Sequence, residues 1–400
     1  MENVWVLASV WVGLALIATL VAIWFKMSTA LSEIIVGTVA QFVIGTLFVH
    51  FELGGKTGWI SFLAGTGAIV LTFLAGAELD PQIFRTKWKE ATVIGLVGFF
   101  GPFFGCTAIA HYILHWTVRS SWLAGVALST TSVAVVYAVM LELGFNVTDF
   151  GKAVLAACFI NDLGTVIALG LIFSPFTIKT VIFVVVSVVV FAILPFLTPR
   201  FFKKYGGRVS ELEAKYLLFL LFAMAGLAVW SGSEAVLPAY IIGMTLAGSV
   251  GKDHILIRRL RTLTFGLLTP FYFIRAGSFV SVRALIAAPL VFVVLFFAKM
   301  LSKVIPLFPT VKAFDYQKEE GLYFTLMMST GLTFGTISAL FGLNHGVIDQ
   351  AQYSYLVATV IGSAVVPTMI ANAWFMPRHL LATKANEKST ISQAKSGNAD

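Results

Sequence analysis

Near the middle of segment 150–173 the order is Ala156-Ala157-Cys158-Phe159-Ile160-Asn161-Asp162-Leu163-Gly164-Thr165, an amide and a carboxylic acid side by side in an apolar run. Placing Asp or Lys at the centre of a membrane helix costs about 2.5 to 3.5 kcal/mol even on lenient insertion scales, so few such residues persist without a function. Asp162 is too far from either end of its run to reach water by snorkelling. A carboxyl group held there is either protonated and neutral or ionised beside a cation, because a bare charge in hydrocarbon is far more costly. Proton and cation thus compete for one group, and that competition couples their movements. Asn161 adds a neutral carbonyl oxygen suited to a hard monovalent cation and no second titratable charge, which predicts one proton per cation and no net charge moved. A purely structural bond between helices needs no charge, and Asn161 would serve it better than Asp162 does.

Other ionisable groups fall inside or beside apolar runs. Lys299, in Phe296-Phe297-Ala298-Lys299-Met300-Leu301, is a partner for Asp162 or for the negative end of a broken helix; otherwise it snorkels to the inner interface. Arg275, in Phe271-Tyr272-Phe273-Ile274-Arg275-Ala276-Gly277, either lines the ion path or marks the outer interface. Glu78 and Asp80 end a run at Pro81 and read as boundary residues, with Glu78 alternatively at the mouth of the path. Glu33 and the histidines His50, His111 and His115 read as interfacial, and no His and carboxylate grouping has metal-site spacing.

Two further runs contain poor helix formers at mid-span: Ser129-Thr130-Thr131-Ser132, and Ser329-Thr330-Gly331-Leu332-Thr333-Phe334-Gly335. A helix unwound at membrane depth leaves backbone groups free, which is tolerated where they line a cavity or meet ions. The hydroxyls of Thr130, Thr131 and Ser132 are then candidates for the oxygen shell of a cation beside Asp162. The two stretches also form a repeat: Leu128-Ser129-Thr130 matches Met328-Ser329-Thr330, and Gly144, Asn146 and Asp149 match Gly342, Asn344 and Asp349, all at an offset of 200. The alternative is that the hydroxyls bond back to their own helices and the glycines allow close packing.

The elements that must position these groups follow from composition. Of 400 residues 58% are hydrophobic and 12% charged, more apolar surface than one soluble core can hide. Runs long enough to cross a bilayer as helices number about thirteen, from 4–25 to 351–374, the fifth being 122–143, the eighth 216–230, the ninth 235–250, the tenth 263–279, the eleventh 284–305 and the twelfth 321–342. The eighth and ninth are the shortest. The first has no basic leader or cleavage site and reads as a retained helix. With the N-terminus outside, twenty-one Lys and Arg, Lys303 among them, fall in inner loops and the tail against five outside, so the net charge of +8 reports topology and not nucleic acid. On that topology the fifth run points inward and the twelfth outward, so the repeat is inverted, as in secondary transporters. The expected organisation is an all-α polytopic membrane domain over 1–378, with halves about 1–198 and 211–378, and a disordered cytoplasmic tail over 379–400. Cys106 and Cys158 sit in apolar runs and carry no assigned chemistry.

With these residues in place the chain resembles the monovalent cation:proton antiporter-2 family, the sodium/hydrogen exchanger-like domains that include bacterial sodium/proton antiporters and glutathione-gated potassium efflux systems. The resemblance spans most of the chain. It is carried by Phe73-Leu74-Ala75-Gly76-Ala77-Glu78-Leu79-Asp80-Pro81, Ala127-Leu128-Ser129-Thr130-Thr131-Ser132, the Asn161-Asp162 pair, Lys299 and Met328-Ser329-Thr330-Gly331-Leu332-Thr333-Phe334-Gly335. It implies a homodimer in the bacterial inner membrane, each protomer having a dimerisation domain and a mobile core in which two discontinuous helices cross beside the aspartate. By the same resemblance Asp162 binds sodium or potassium and the proton, Asn161 stands where electrogenic relatives carry a second aspartate, which supports one-for-one exchange, and Lys299 is the facing basic residue, which leaves an electrogenic scheme open if its own proton is carried. Arg275 departs from the uncharged residue common among relatives, and the nucleotide-binding regulatory domain of the potassium efflux systems is missing, so gating by nucleotide or glutathione within this chain is not implied.

The main alternative is a potassium efflux channel or channel-like subunit controlled by partners, which needs polar breaks but no titrating carboxylate. An enzyme is not indicated, since there is no nucleophile with a base, no metal-ligand cluster and no phosphate loop, and no cofactor is expected.

Overall fold

A computed structural model describes residues 4–25, 28–47, 53–77, 87–145, 148–173, 177–207, 211–233 and 235–380. Glu78, Asp80, Pro81, His50 and Asn146 lie outside the described residues, as does 381–400 of the tail. In a bilayer every backbone group must be bonded within the protein, so apolar runs of this length fold as helices. In chain order the helices are α1 (Val4–Phe25), α2 (Thr29–Leu47), α3 (Gly58–Ala77), α4 (Trp88–Ala108), α5 (Val118–Ser129), α6 (Val133–Leu143), α7 (Asp149–Phe173), α8 (Ile178–Tyr205) and α9 (Leu212–Trp230). There follow α10 (Val236–Leu246), α11 (His254–Leu263), α12 (Thr269–Ser278), α13 (Val282–Ala287), α14 (Pro289–Lys312), α15 (Lys318–Met328), α16 (Thr333–Asn344) and α17 (Gln350–Trp374).

Among the described residues ten spans are long and apolar enough to cross a membrane, which makes this a polytopic integral membrane protein. The fifth, ninth and tenth expected runs are the exceptions. The fifth is split into α5 and α6, and the ninth is α10, only 11 residues long. The tenth starts early, at α11, whose Arg258, Arg259 and Arg261 lower its hydropathy; a π turn, Thr264–Leu268, joins it to α12.

The helices pack as two sets. In one, α2 lies along α12 and α3 along α10, with α1 and α9 outside them. In the other, α4 packs on α5, α7 and α14, and α17 on α14, α15 and α16. The helix α8 lies against α9 and α10 of the first set. The α3–α10 contact is backbone to backbone: a Cβ on Gly243 would strike the carbonyl oxygen of Phe73, and one on Gly76 that of Tyr240. Gly243→Val is therefore expected to cost more than the roughly 1 to 3 kcal/mol usual for overpacking, because backbone cannot give way as a side chain can. Loss of the monodisperse peak in size-exclusion chromatography is the expected reading.

The repeat is visible in outline, with a local difference. Asp349 caps α17, its carboxylate accepting from the Gln352 amide at 2.8 Å. In the first copy the corresponding cap is Thr148, which accepts from the Gly151 amide at 3.1 Å, one residue earlier than Asp149. Gly144 has φ +72°, whereas Gly342 is helical and the positive φ of the second copy falls at Gly346.

Candidate ion site

Both mid-span breaks are present, and they touch. The first half-helix α5 ends at Ser129, and Thr130 turns extended, with φ −62° and ψ 149°. Ser129 Oγ donates to Val126 O at 2.9 Å and Thr130 Oγ1 to Ala127 O at 3.2 Å, closing the last turn of α5. Chain resumes as helix at Val133, with Ser132 Oγ accepting from the Val135 amide at 3.3 Å. The second break repeats this: Ser329 Oγ donates to Thr325 O, Thr330 Oγ1 to Met327 O, both at 2.8 Å, and helix resumes at Thr333. The back-bonding expected of intact helices thus occurs, and it occurs where the helices end. Between the breaks the Ser132 amide donates to Thr330 O at 3.0 Å and Thr131 Oγ1 to Met328 O at 2.7 Å. Gly335 lies against Ala127 O and Thr130 Oγ1, at 2.9 and 3.0 Å from where a Cβ would stand.

Asp162 stands beside this crossing. It is halfway along α7 and 1% exposed. The backbone amides of Thr131 and Val133, at the start of α6, face its carboxylate. A helix amino end favours a negative charge, so the break orients free donors at the acid. Even so, Oδ1 of Asp162 has no hydrogen-bond partner among the described residues. Neither does the amide oxygen or nitrogen of Asn161, which is fully buried and turned towards Gly98 of α4. Buried polar atoms normally find partners, so unpaired atoms on two adjacent residues are the pattern left for a ligand.

The lysine closing the other side is not the one expected from the sequence. Lys303, counted above among the inner-loop charges, is fully buried. Its ammonium donates to Ser129 O at 2.8 Å, Thr130 O at 3.0 Å and Thr131 Oγ1 at 2.8 Å. It therefore occupies the carboxyl end of α5, where the helix dipole is negative. The expected run, 284–305, put Lys303 two residues from its end, where a lysine was counted as reaching water; α14 runs on to Lys312, which leaves Lys303 nine residues from the helix end. Removing it from the inner side leaves the charge asymmetry intact. Lys299, one turn earlier, is also fully buried and does not snorkel. Its Nζ lies against Gly331, has no hydrogen-bond partner among the described residues, and is within electrostatic reach of Asp162. The signal that would have found Lys303 is the four-residue spacing, which puts both lysines on one helix face.

The remaining expected residues divide. Thr130, Thr131 and Ser132 line the break, each hydroxyl engaged as described. Thr333 Oγ1 is without a partner among the described residues at the start of α16. Arg275 is committed elsewhere, its Nε donating to Gly55 O and its guanidinium lying 5.0 Å from the Phe279 ring centre. Glu33, near the start of α2, is buried within the protein. Cys158 sits one turn before Asp162 with its thiol 3.4 Å from Met328 Sδ, and a cysteine in an apolar run carries no signal of its own in the sequence.

Known proteins resemble this chain in sequence and in fold. The family model described as sodium/hydrogen exchanger, transmembrane, matches residues 12–376. A probable Na+/H+ antiporter of Methanocaldococcus jannaschii is 25% identical over 88% of this chain and 91% of its own length. An Na+/H+ antiporter of Enterococcus hirae is 24% identical over 82% of this chain and 90% of its own. Among solved structures, a sodium proton antiporter from Methanocaldococcus jannaschii at pH 8 superposes with a TM-score of 0.68 at 15% identity, covering 94% of this chain and 97% of that one.

Proposed function

Because this chain belongs to the sodium/hydrogen exchanger transmembrane family, we propose that it exchanges a monovalent cation, sodium or potassium, for a proton, both bound in turn at Asp162. The observation that carries this is the buried Asp162 carboxylate at the amino end of α6 with an oxygen left unpaired. A cation would take Asp162 and Asn161 oxygens, with the lone pairs of the Thr130, Thr131 and Ser132 hydroxyls within the same break. A protonated Asp162 is neutral and needs only one acceptor, for its O–H. The site would change sides by an elevator-like movement of the set containing α4 to α7 and α14 to α17 against the set containing α1 to α3 and α9 to α12. The sparse contact between the sets, chiefly α7 on α10, supports that division. A homodimer in the bacterial inner membrane, N-terminus outside, fits the exposed apolar faces of α1 and α8 and the inward basic charge.

The test is purified protein in liposomes with an acidic lumen, to which sodium or potassium is added. Lumenal alkalinisation that follows one of the cations supports exchange and names the substrate, and no response to either cation sinks the reading. Stoichiometry is tested at Asn161. Wild-type exchange is expected to be insensitive to an imposed membrane potential. Asn161→Asp adds a second titratable charge and is expected to make the rate respond to potential by several-fold per 100 mV, since one charge across that field is worth about 2.3 kcal/mol. A variant that stays insensitive removes Asn161 from control of the stoichiometry.

A further inference from the structure

One residue of the first helix set that reaches the site-bearing helices is a tyrosine. Tyr240 belongs to α10, which the backbone contact with α3 at Gly76 and Gly243 holds in place. Its ring crosses to the other set and is fully buried there. It stacks on Phe159 with ring centres 5.0 Å apart and planes at 21°, and meets Phe334 edge-on at 5.5 Å and 82°. Its hydroxyl donates to Phe159 O at 3.2 Å. Phe159 lies three residues before Asp162 on α7, and Phe334 is the second residue of α16, just past the second break. A reciprocal bond runs the other way, from Tyr353 of α17 to Ala276 O of α12 at 2.7 Å.

One side chain on a fixed post therefore grips both the helix that carries the acid and the half-helix that leaves the crossing. A ring intruding between two bodies resists sliding, and a buried hydroxyl bond must be replaced by another when they part. We infer that Tyr240 is a positioning residue that latches the site-bearing helices in the conformation seen here, its hydroxyl bond and ring stack breaking and re-forming in each transport cycle. This rests on the alternating-access reading above. The loss of one such bond shifts a two-state population by about two- to tenfold.

A cysteine placed at Leu237 of α10 supplies the probe, since that side chain lies 3.3 Å from where a Cβ on Gly170 of α7 would stand, at the contact that opens when the two sets part. In a background with Cys106 and Cys158 replaced by serine, the labelling rate of Leu237→Cys with a permeant maleimide is measured alongside exchange turnover at saturating cation. Tyr240→Phe, which keeps the ring and removes the hydroxyl, is expected to raise both by two- to tenfold. Labelling equal to the parent overturns the latch. Faster labelling with slower exchange also overturns it, because that is what general loosening produces. If Tyr240→Phe is not recovered folded, Phe159→Leu, which removes the stack and keeps the carbonyl, is judged by the same two readings. Labelling needs no transport, so a parent protein that labels and does not exchange cations sinks the antiport reading and leaves the labelling comparison to decide the latch.

Discussion

Asp162→Asn is expected to lower cation-driven proton movement at least about a hundredfold, to the leak of liposomes without protein, while leaving the protein folded. The asparagine oxygen can still accept from the Thr131 and Val133 amides, so the break keeps its partner. What it loses is the exchangeable proton and the negative charge that draws the cation. A hundredfold is about 2.7 kcal/mol, modest for removing the charge from a site with no other carboxylate at hand among the described residues. Asp162→Glu keeps the titrating group and displaces it by one methylene, so exchange should persist at a rate reduced about tenfold or more. Competition also fixes the sign of the wild-type pH dependence. Protons exclude the cation, so acidification raises the apparent KM for the cation, by about tenfold per unit once the carboxyl is mostly protonated, and saturating cation restores the rate. Exchange that survives in Asp162→Asn would move the site to another group.

The sequence made the acid and both breaks legible for one reason: each is a polar exception in a medium that punishes exceptions. Asp162 in α7 and the Ser-Thr stretches near 130 and 330 announce themselves against apolar neighbours, and the helix limits at 4–25, 88–113 and 351–374 follow from the same contrast. Contacts between distant segments were not legible. That Thr131 bonds Met328, or that Ser132 bonds Thr330, depends on two spans meeting across nearly 200 residues. Lys303 was misplaced because a count of basic residues by loop takes any lysine near a span end as solvated, and its true setting depends on how far α14 continues. Tyr240 was invisible because an aromatic residue in an apolar run is ordinary until a second helix supplies the carbonyl it bonds. Arg275 drew attention by its charge, yet its guanidinium serves a loop carbonyl and a ring in the first helix set.

Lys303→Met is the second large effect to expect, and it separates holding the break from binding the ion. Methionine matches the length of the lysine stem and fills the same space, so the change removes three donations and a charge with little loss of packing. The carbonyl oxygens of Ser129 and Thr130 would then stand at the negative end of α5, buried and without their ammonium. Hydrogen bonds to a charged group contribute about 1.5 to 3 kcal/mol each, and stripping one partner from a buried charged set costs about 3 to 5 kcal/mol. The melting temperature in detergent should fall by several degrees, and exchange by about tenfold or more, because the amides that face Asp162 belong to the same turn. Asp162→Asn should leave the melting temperature near that of the parent, so the two variants differ in stability while both lose transport. Lys303→Arg keeps a cation but brings a broader planar head into a site shaped for one ammonium, and should recover stability in part. Melting of Lys303→Met at the parental temperature would mean that the half-helix end is held by the crossing contacts at Met328 and Thr330 alone. The lysine would then be free to take part in the ion's own charge balance.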